Sequence, residues 1–188
     1  MIYGEAFYID EGGHRIKRYP TEGFSAQRLI DLCYICQPAA FFRRSAVEDV
    51  GFVNDQLHYC MDYELLVRIS KHYSLVHIPD VLALSRLHAE CKTVKSRTAA
   101  LTEIVGMLHR HYGFVAPSWL GGYVKAMLER RMNQSHSSRS TMFVLGVFTL
   151  GAREFFRYNR KLPFSEYGRW RRGLIKGLKR LWTGLSNP

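Results

Sequence analysis

Apolar residues recur along this chain at two periods, and the switch between them lays out the elements. Residues 1–10 carry aromatic and β-branched side chains at Ile2, Tyr3, Phe7, Tyr8 and Ile9, a strand composition, and Asp10-Glu11-Gly12-Gly13 supplies a turn. Residues 14–19 then return as the second arm of a hairpin. Pro20 ends that arm, and Ser25 stands where an N-cap would open a short helix carrying Leu29, Ile30 and Leu32. Residues 34–43 are rich in aromatics but interrupted by Pro38, which predicts an edge strand or an extended crossing segment. Ser45 is placed to cap a helical turn over residues 46–50 with Gly51 as its C-cap, and an irregular loop follows at Asn54-Asp55-Gln56.

At Met61 the period changes. Met61, Leu65, Leu66 and Ile69 fall on one side of a helix, and Glu64 precedes Arg68 by four residues, the favourable order for a surface ion pair. Two short strands are predicted next: residues 74–78, ended by Pro79, and residues 81–88, in which alternation puts Leu82, Leu84, Arg86 and His88 on one face. Beyond Cys91 the pattern is helical. Residues 98–111 group Leu101, Ile104, Val105 and Leu108, and breaks at Gly113 and Pro117 precede a helix over 120–132. A polar linker over 133–140 leads to a third helix over 141–158. Residues 168–185 line up Trp170, Leu174, Ile175, Leu178, Leu181, Trp182 and Leu185 opposite Arg169, Arg171, Arg172, Lys176, Lys179 and Arg180, the pattern of an interfacial amphipathic helix.

Charge adds a division that periodicity does not show. The 188 residues suit one domain, or a domain with an appendage, and 47% hydrophobic content is enough for a core. Residues 1–91 hold 9 Lys and Arg against 12 Asp and Glu, whereas residues 92–188 hold 18 against 4, so a net −3 is followed by +14. A basic second half suits a phosphate-bearing surface. An anionic membrane matches the stripe better than nucleic acid does, because the Trp, Leu and Ile are continuous and not interleaved as stacking residues; packing of the stripe on the domain is the third reading. No uncharged apolar run approaches the ~20 residues of a membrane-spanning helix. Glu5 stands where a signal peptide needs basic residues, and Cys33, Cys36, Cys60 and Cys91 are expected as reduced thiols of a cytoplasmic protein.

One carboxylate stands out by position. Asp62 falls in the first turn of its helix, where unpaired N–H groups and the helix dipole favour the ionised form. That placement suits a general base, and equally an ordinary helix-start acid. Cys33 and Cys36 have the spacing of a zinc or redox pair, with Cys60, His88 and Cys91 as candidate partners, and also that of buried small hydrophobes. Arg43 and Arg44 are candidates for binding phosphate or for pairing with Glu48 or Asp49.

The segments Gln37-Pro38-Ala39-Ala40-Phe41-Phe42-Arg43-Arg44, Val50-Gly51-Phe52, Met61-Asp62-Tyr63-Glu64-Leu65-Leu66-Val67-Arg68 and Ser85-Arg86-Leu87-His88 follow one another in order and spacing. Together with Tyr3-Gly4-Glu5 and Ile9-Asp10-Glu11-Gly12 at the start, residues 1–95 resemble the second half of family-2 glycosyltransferases with the GT-A fold. The resemblance implies sugar transfer from a nucleotide-sugar donor to the hydroxyl of an acceptor glycan or lipid-linked acceptor, with inversion, as in polysaccharide or cell-envelope biosynthesis. It implies Asp62 as general base, Arg86 and His88 at the donor diphosphate, His88 also as a metal ligand, Gln37 and Arg44 on the acceptor side, and a divalent cation, Mg or Mn. Two departures stand beside it. The family's Asp-x-Asp motif occurs nowhere in the chain, its nearest approach being Asp62-Tyr63-Glu64, and Met61 stands where the family often has an acid.

The expected architecture is therefore α/β: a partial GT-A-like sheet with flanking helices over residues 1–95, and a helical basic extension over residues 96–188. The chain is expected to be an acceptor-side half whose donor-binding half is missing through truncation, a misplaced start or a gene fragment, and to be inactive without it. The alternative is a non-catalytic module that uses the basic amphipathic segment to bind a partner or, peripherally, the inner face of a membrane.

Overall fold

The computed structural model describes residues 1–131 and 141–160 and is mixed α/β. It divides into two units, Met1–Ala100 and Leu101–Pro188, the second described over residues 101–131 and 141–160.

In the first unit every strand pairs with β1 (Ile2–Ile9). Strand β2 (Arg15–Arg18) returns antiparallel against Phe7, Tyr8 and Ile9, the hairpin that the Asp10-Glu11-Gly12-Gly13 turn predicts. Strand β3 (Ala40–Phe41) pairs antiparallel with Ile2 and Tyr3, and β4 (Val76–Arg86) runs parallel to β1 along its whole length. Because Ile2 pairs with both Phe41 and Val76, and Ile9 with both Arg15 and Arg86, β2 and β3 share one edge of β1 and β4 takes the other. The predicted break at Pro79 does not occur, and β4 is one strand. The register shifts opposite Gly4, between the pairs Tyr3–His77 and Glu5–Val81, and Pro79 falls in that irregularity, where its missing N–H costs no ladder bond. Gly4 is needed there: a Cβ would lie 2.5 Å from Leu82 Cγ and 2.7 Å from the Asp80 carbonyl oxygen.

The connection from β1 to β4 carries α1 (Ala26–Asp31), a 3₁₀ turn (Gln37–Ala39), α2 (Arg44–Val50) and α3 (Met61–His72). Ser25 caps α1 as expected, its hydroxyl accepting the Arg28 N–H at 3.2 Å. Helix α2 starts one residue before the proposed cap, so Ser45 lies inside its first turn and Arg43 is the N-cap, without a side-chain bond. Gly51 closes α2 at φ +85°, a backbone conformation that disfavours a side chain. Helix α3 buries Tyr63, Glu64, Leu65, Leu66, Val67 and Ile69. Glu64 and Arg68 pair as predicted, but not on the surface: Glu64 is 4% exposed and Arg68 Nε lies 2.9 Å from both its oxygens. The two terminal nitrogens of the guanidinium donate to the carbonyls of Val50, of Gly51 at 2.7 Å and of Phe52 at 2.8 Å, tying α3 to the end of α2. The spacing of four is the same for a surface pair and a buried one; the chain laid over α3 decides which.

After a single turn, α4 (Lys92–Lys95), the chain enters α5 (Arg97–Tyr112), α6 (Pro117–Arg131) and α7 (Thr141–Tyr158). Pro117 opens α6 instead of merely preceding it, because the first helical position needs no N–H donor. Val105, Met107, Leu108, Val115, Val124 and Phe155 form buried positions of this unit. Asn159, fully buried, accepts the Val115 N–H at 2.8 Å and donates to the Val115 carbonyl at 3.1 Å, satisfying both backbone groups of that residue in the α5–α6 connection. The sequence-predicted linker over 133–140 and the amphipathic stripe over 168–185 lie outside the described residues. No described helix is long and apolar enough to cross a membrane.

Removing the Arg68 fork strands the buried Glu64 carboxylate and takes the donor from the part-buried bond to the Val50 carbonyl. Urea unfolding of Arg68→Ala should show a loss of about 3 kcal/mol, and Arg68→Lys should recover only part of it, because an ammonium has no fork. A loss for Arg68→Ala below about 1 kcal/mol would show the clamp to be incidental.

Candidate active site

Strands β1 and β4 are parallel and end together, at Ile9 and Arg86, which pair. Ligands of open sheets gather beyond the carboxyl ends of parallel strands, so this end is the first place to look for chemistry. On one face of β1, Ala6 packs with Cys36 and Ala39, and the ring of Tyr8 lies 5.0 Å from that of Tyr19. Cys33 and Cys36 reach this face from the crossing segment, and Asp62 reaches it from the start of α3. The electrostatics record that proximity. Burial pushes the Cys33 thiol up to about 12 and the Cys36 thiol to about 11, and in both the Asp62 carboxylate adds to the rise. Burial likewise raises Tyr8 and Tyr19, with the two thiols among the contributing neighbours.

Asp62 responds in kind. Asp62 is exposed by surface area, yet neighbouring protein atoms partly desolvate its carboxyl, and this raises its pKa above the ordinary Asp value. The Tyr63 N–H, 2.8 Å from Oδ1, and its own N–H pull the other way without prevailing. The helix start was expected to favour the ionised form; its N–H groups do so, but burial outweighs them. The carboxylate is thus a stronger base than a solvated Asp, set among thiols and phenols that stay neutral at pH 7.

The remaining candidates are distributed unevenly. Gln37, exposed, opens the 3₁₀ turn directly after Cys36 and so stands next to the Asp62 cluster. Arg44 is exposed at the start of α2, its Nε 2.8 Å from Glu48 Oε1, the pairing alternative considered for it. Arg86 lies in the row of Ile9, so alternation turns it to the face opposite Tyr8, at the same end of the sheet as Asp62. His88 lies beyond the end of β4, so the predicted alternation does not extend to it; it is exposed, and its backbone N–H donates to Cys91 Sγ at 3.4 Å.

All four cysteines are free, and among the described residues no group of three His, Cys, Asp or Glu side chains could hold a metal ion. A hard divalent cation takes roughly six oxygen ligands, and an exposed His88 offers one imidazole nitrogen. The described residues therefore do not fit the Mg or Mn that the resemblance implies. Tyr8 and Tyr19 were not singled out from the sequence; the hairpin pairing that stacks them was the available signal. Set against known proteins, the chain matches no family model and no curated sequence.

The raised pKa of Asp62 carries a stability consequence. Below the ordinary Asp value, about 3.9, the group is protonated in folded and unfolded chains alike and costs nothing. As pH rises through that value and then through the folded one, the native state holds its proton longer, so stability falls across the window and stays lower above it. Asp62→Asn, which keeps the acceptor for the Tyr63 N–H, should be more stable than the parent at pH 7, with the gap closing toward pH 4. Urea midpoints over that range would count against the desolvated carboxylate if the gap were constant or reversed.

Proposed function

We propose that this chain is the acceptor-side half of an inverting, hexosyltransferase-type glycosyltransferase, with Asp62 as its general base. The observation that carries the reading is a carboxylate of raised basicity, set in the first turn of α3 close to the Cys33 and Cys36 thiols. In the proposed step the acceptor hydroxyl gives its proton to Asp62 as its oxygen attacks the anomeric carbon. The bond from that carbon to the donor diphosphate breaks, the nucleoside diphosphate leaves with the electron pair, and the configuration inverts. A desolvated carboxylate is suited to this work because its proton affinity is nearer that needed at neutral pH. Gln37 and Arg44 belong to the acceptor side of the proposal, and Arg86 and His88 to the phosphate side, where cations offset the charge of the leaving group. The Asp-x-Asp carboxylates that hold Mg or Mn in the family have no counterpart in this sequence, so the proposal assigns these residues the base and acceptor side only.

A second reading draws on the +14 charge of residues 92–188 and the Trp-bearing stripe, and makes the chain a non-catalytic module that docks on the cytoplasmic face of an anionic membrane. One experiment separates the two. In a form that carries a donor-binding segment, sugar-nucleotide turnover should fall about a thousandfold in kcat for Asp62→Asn with the circular dichroism unchanged. Undiminished turnover would remove Asp62 from its role. Absence of turnover in every form, with vesicle sedimentation that is lost in Trp170→Ala and Trp182→Ala, would favour the second reading.

A further inference from the structure

The register of the sheet brings two arginines into one row. Ile9 pairs with Arg15 across one edge of β1 and with Arg86 across the other, so the three residues cross the sheet side by side at its carboxyl end. Residues in register share a face, but the pairing of β1 with β2 shifts between Tyr8 and Ile9, so register by itself does not place Arg15. For Arg15 that face is fixed independently, because its guanidinium lies 4.6 Å over the ring of Phe7, two residues before Ile9. For Arg86 it is fixed by the unbroken run of pairs from Ala6–Ala83 to Ile9–Arg86.

The charges on this face are not equally occupied. Arg18, which pairs with Phe7, has its guanidinium 3.0 Å from the buried Glu5 carboxylate. Arg15 and Arg86 have no such partner: among the described residues neither makes an ion pair. Of the two acids of the hairpin turn, Asp10 is engaged by the backbone N–H of His14 at 2.8 Å and by its ring at 3.1 Å, and Glu11 is exposed and makes no ion pair with either arginine. Two cations without an acid, two strand spacings or roughly 10 Å apart at Cα, favour an anion between them. Ile9, 6% exposed, forms an apolar floor. The Phe7 ring holds the plane of Arg15 and leaves its N–H edge free, the condition for bidentate contact with phosphate oxygens.

We infer that Arg15 and Arg86 form a cradle for a diphosphate group, one guanidinium from each strand flanking Ile9. The geometry of the cradle stands on the strand pairing of Ile9 and on the contact of Arg15 with the Phe7 ring. The identity of its ligand as the leaving group of a nucleotide-linked sugar rests on the transferase reading, to which the cradle adds Arg15, a residue that no motif marked.

Inorganic pyrophosphate is the direct probe, titrated calorimetrically into the full chain at low salt. Binding should weaken roughly tenfold in Arg15→Gln and in Arg86→Gln and vanish in the double variant, while Arg110→Gln, exposed on α5, leaves it unchanged. Uridine diphosphate should show the same ratios, since it presents the same group. Both arginines are exposed, so thermal melts should be unaltered. No binding of pyrophosphate, unchanged affinity in both single variants, or an equal loss in Arg110→Gln would overturn the cradle, the last by exposing diffuse charge attraction. Asp62→Asn separates the two proposals. It should bind pyrophosphate as the parent does; if it also keeps full transfer, the base reading fails alone. If transfer depends on Asp62 while Arg15→Gln alters neither pyrophosphate affinity nor the KM for sugar nucleotide, the cradle fails alone.

Discussion

Helix α3 is anchored by the two residues that follow Asp62, and the chemistry proposed for this chain depends on that anchorage. The Tyr63 hydroxyl donates to the Leu29 carbonyl on α1, and Glu64 holds the Arg68 fork that gathers the carbonyls of Val50, Gly51 and Phe52. With both neighbours buried, the helix cannot turn about its axis without unpairing a charge, and Asp62 stays against Cys33 and Cys36. A mobile carboxylate would swing into water and recover an ordinary pKa. This one, though exposed, is partly desolvated by neighbouring protein, at a cost in stability, which is the usual bargain at a functional position.

The sheet supplies the second constraint. Strand β1 is paired along both edges, and its buried Glu5 is held from both sides, by the Arg18 guanidinium at 3.0 Å and by the His77 ring at 3.1 Å. So secured, its carboxyl end presents different chemistry on its two faces: a basic carboxylate among neutral thiols and phenols on one, a row of guanidiniums on the other. An inverting displacement needs its nucleophile and its leaving group on opposite sides of one carbon. On the proposed reading, the two faces of β1 provide that opposition, and the reacting carbon lies beyond the end of the strand.

What could be read from the sequence was local, and what could not was made by pairing between distant segments. The Ser25 cap, the Asp10–Gly13 turn, the Gly51 stop and the periodicity of α3 each depend on a few neighbouring residues, and each is present. Pro79 misled because its local rule ends a strand, while the register shift opposite Gly4 gives it a place within one. Glu64 and Arg68 were legible as a pair but not as a buried one. The position of Asp62 was legible from the surrounding motif, yet the direction of its pKa was not, because a helix start lowers it and only packed neighbours from other segments raise it. Arg15 carried no signal of its own; its alignment with Arg86 exists only through the two edges of β1.

The central claim is that packing, and not the helix terminus, governs the Asp62 carboxyl. A carbon-13 NMR titration of that carboxyl in the folded chain tests it directly. The account predicts a midpoint clearly above the ordinary Asp value of about 3.9, and a midpoint at or below that value would contradict it.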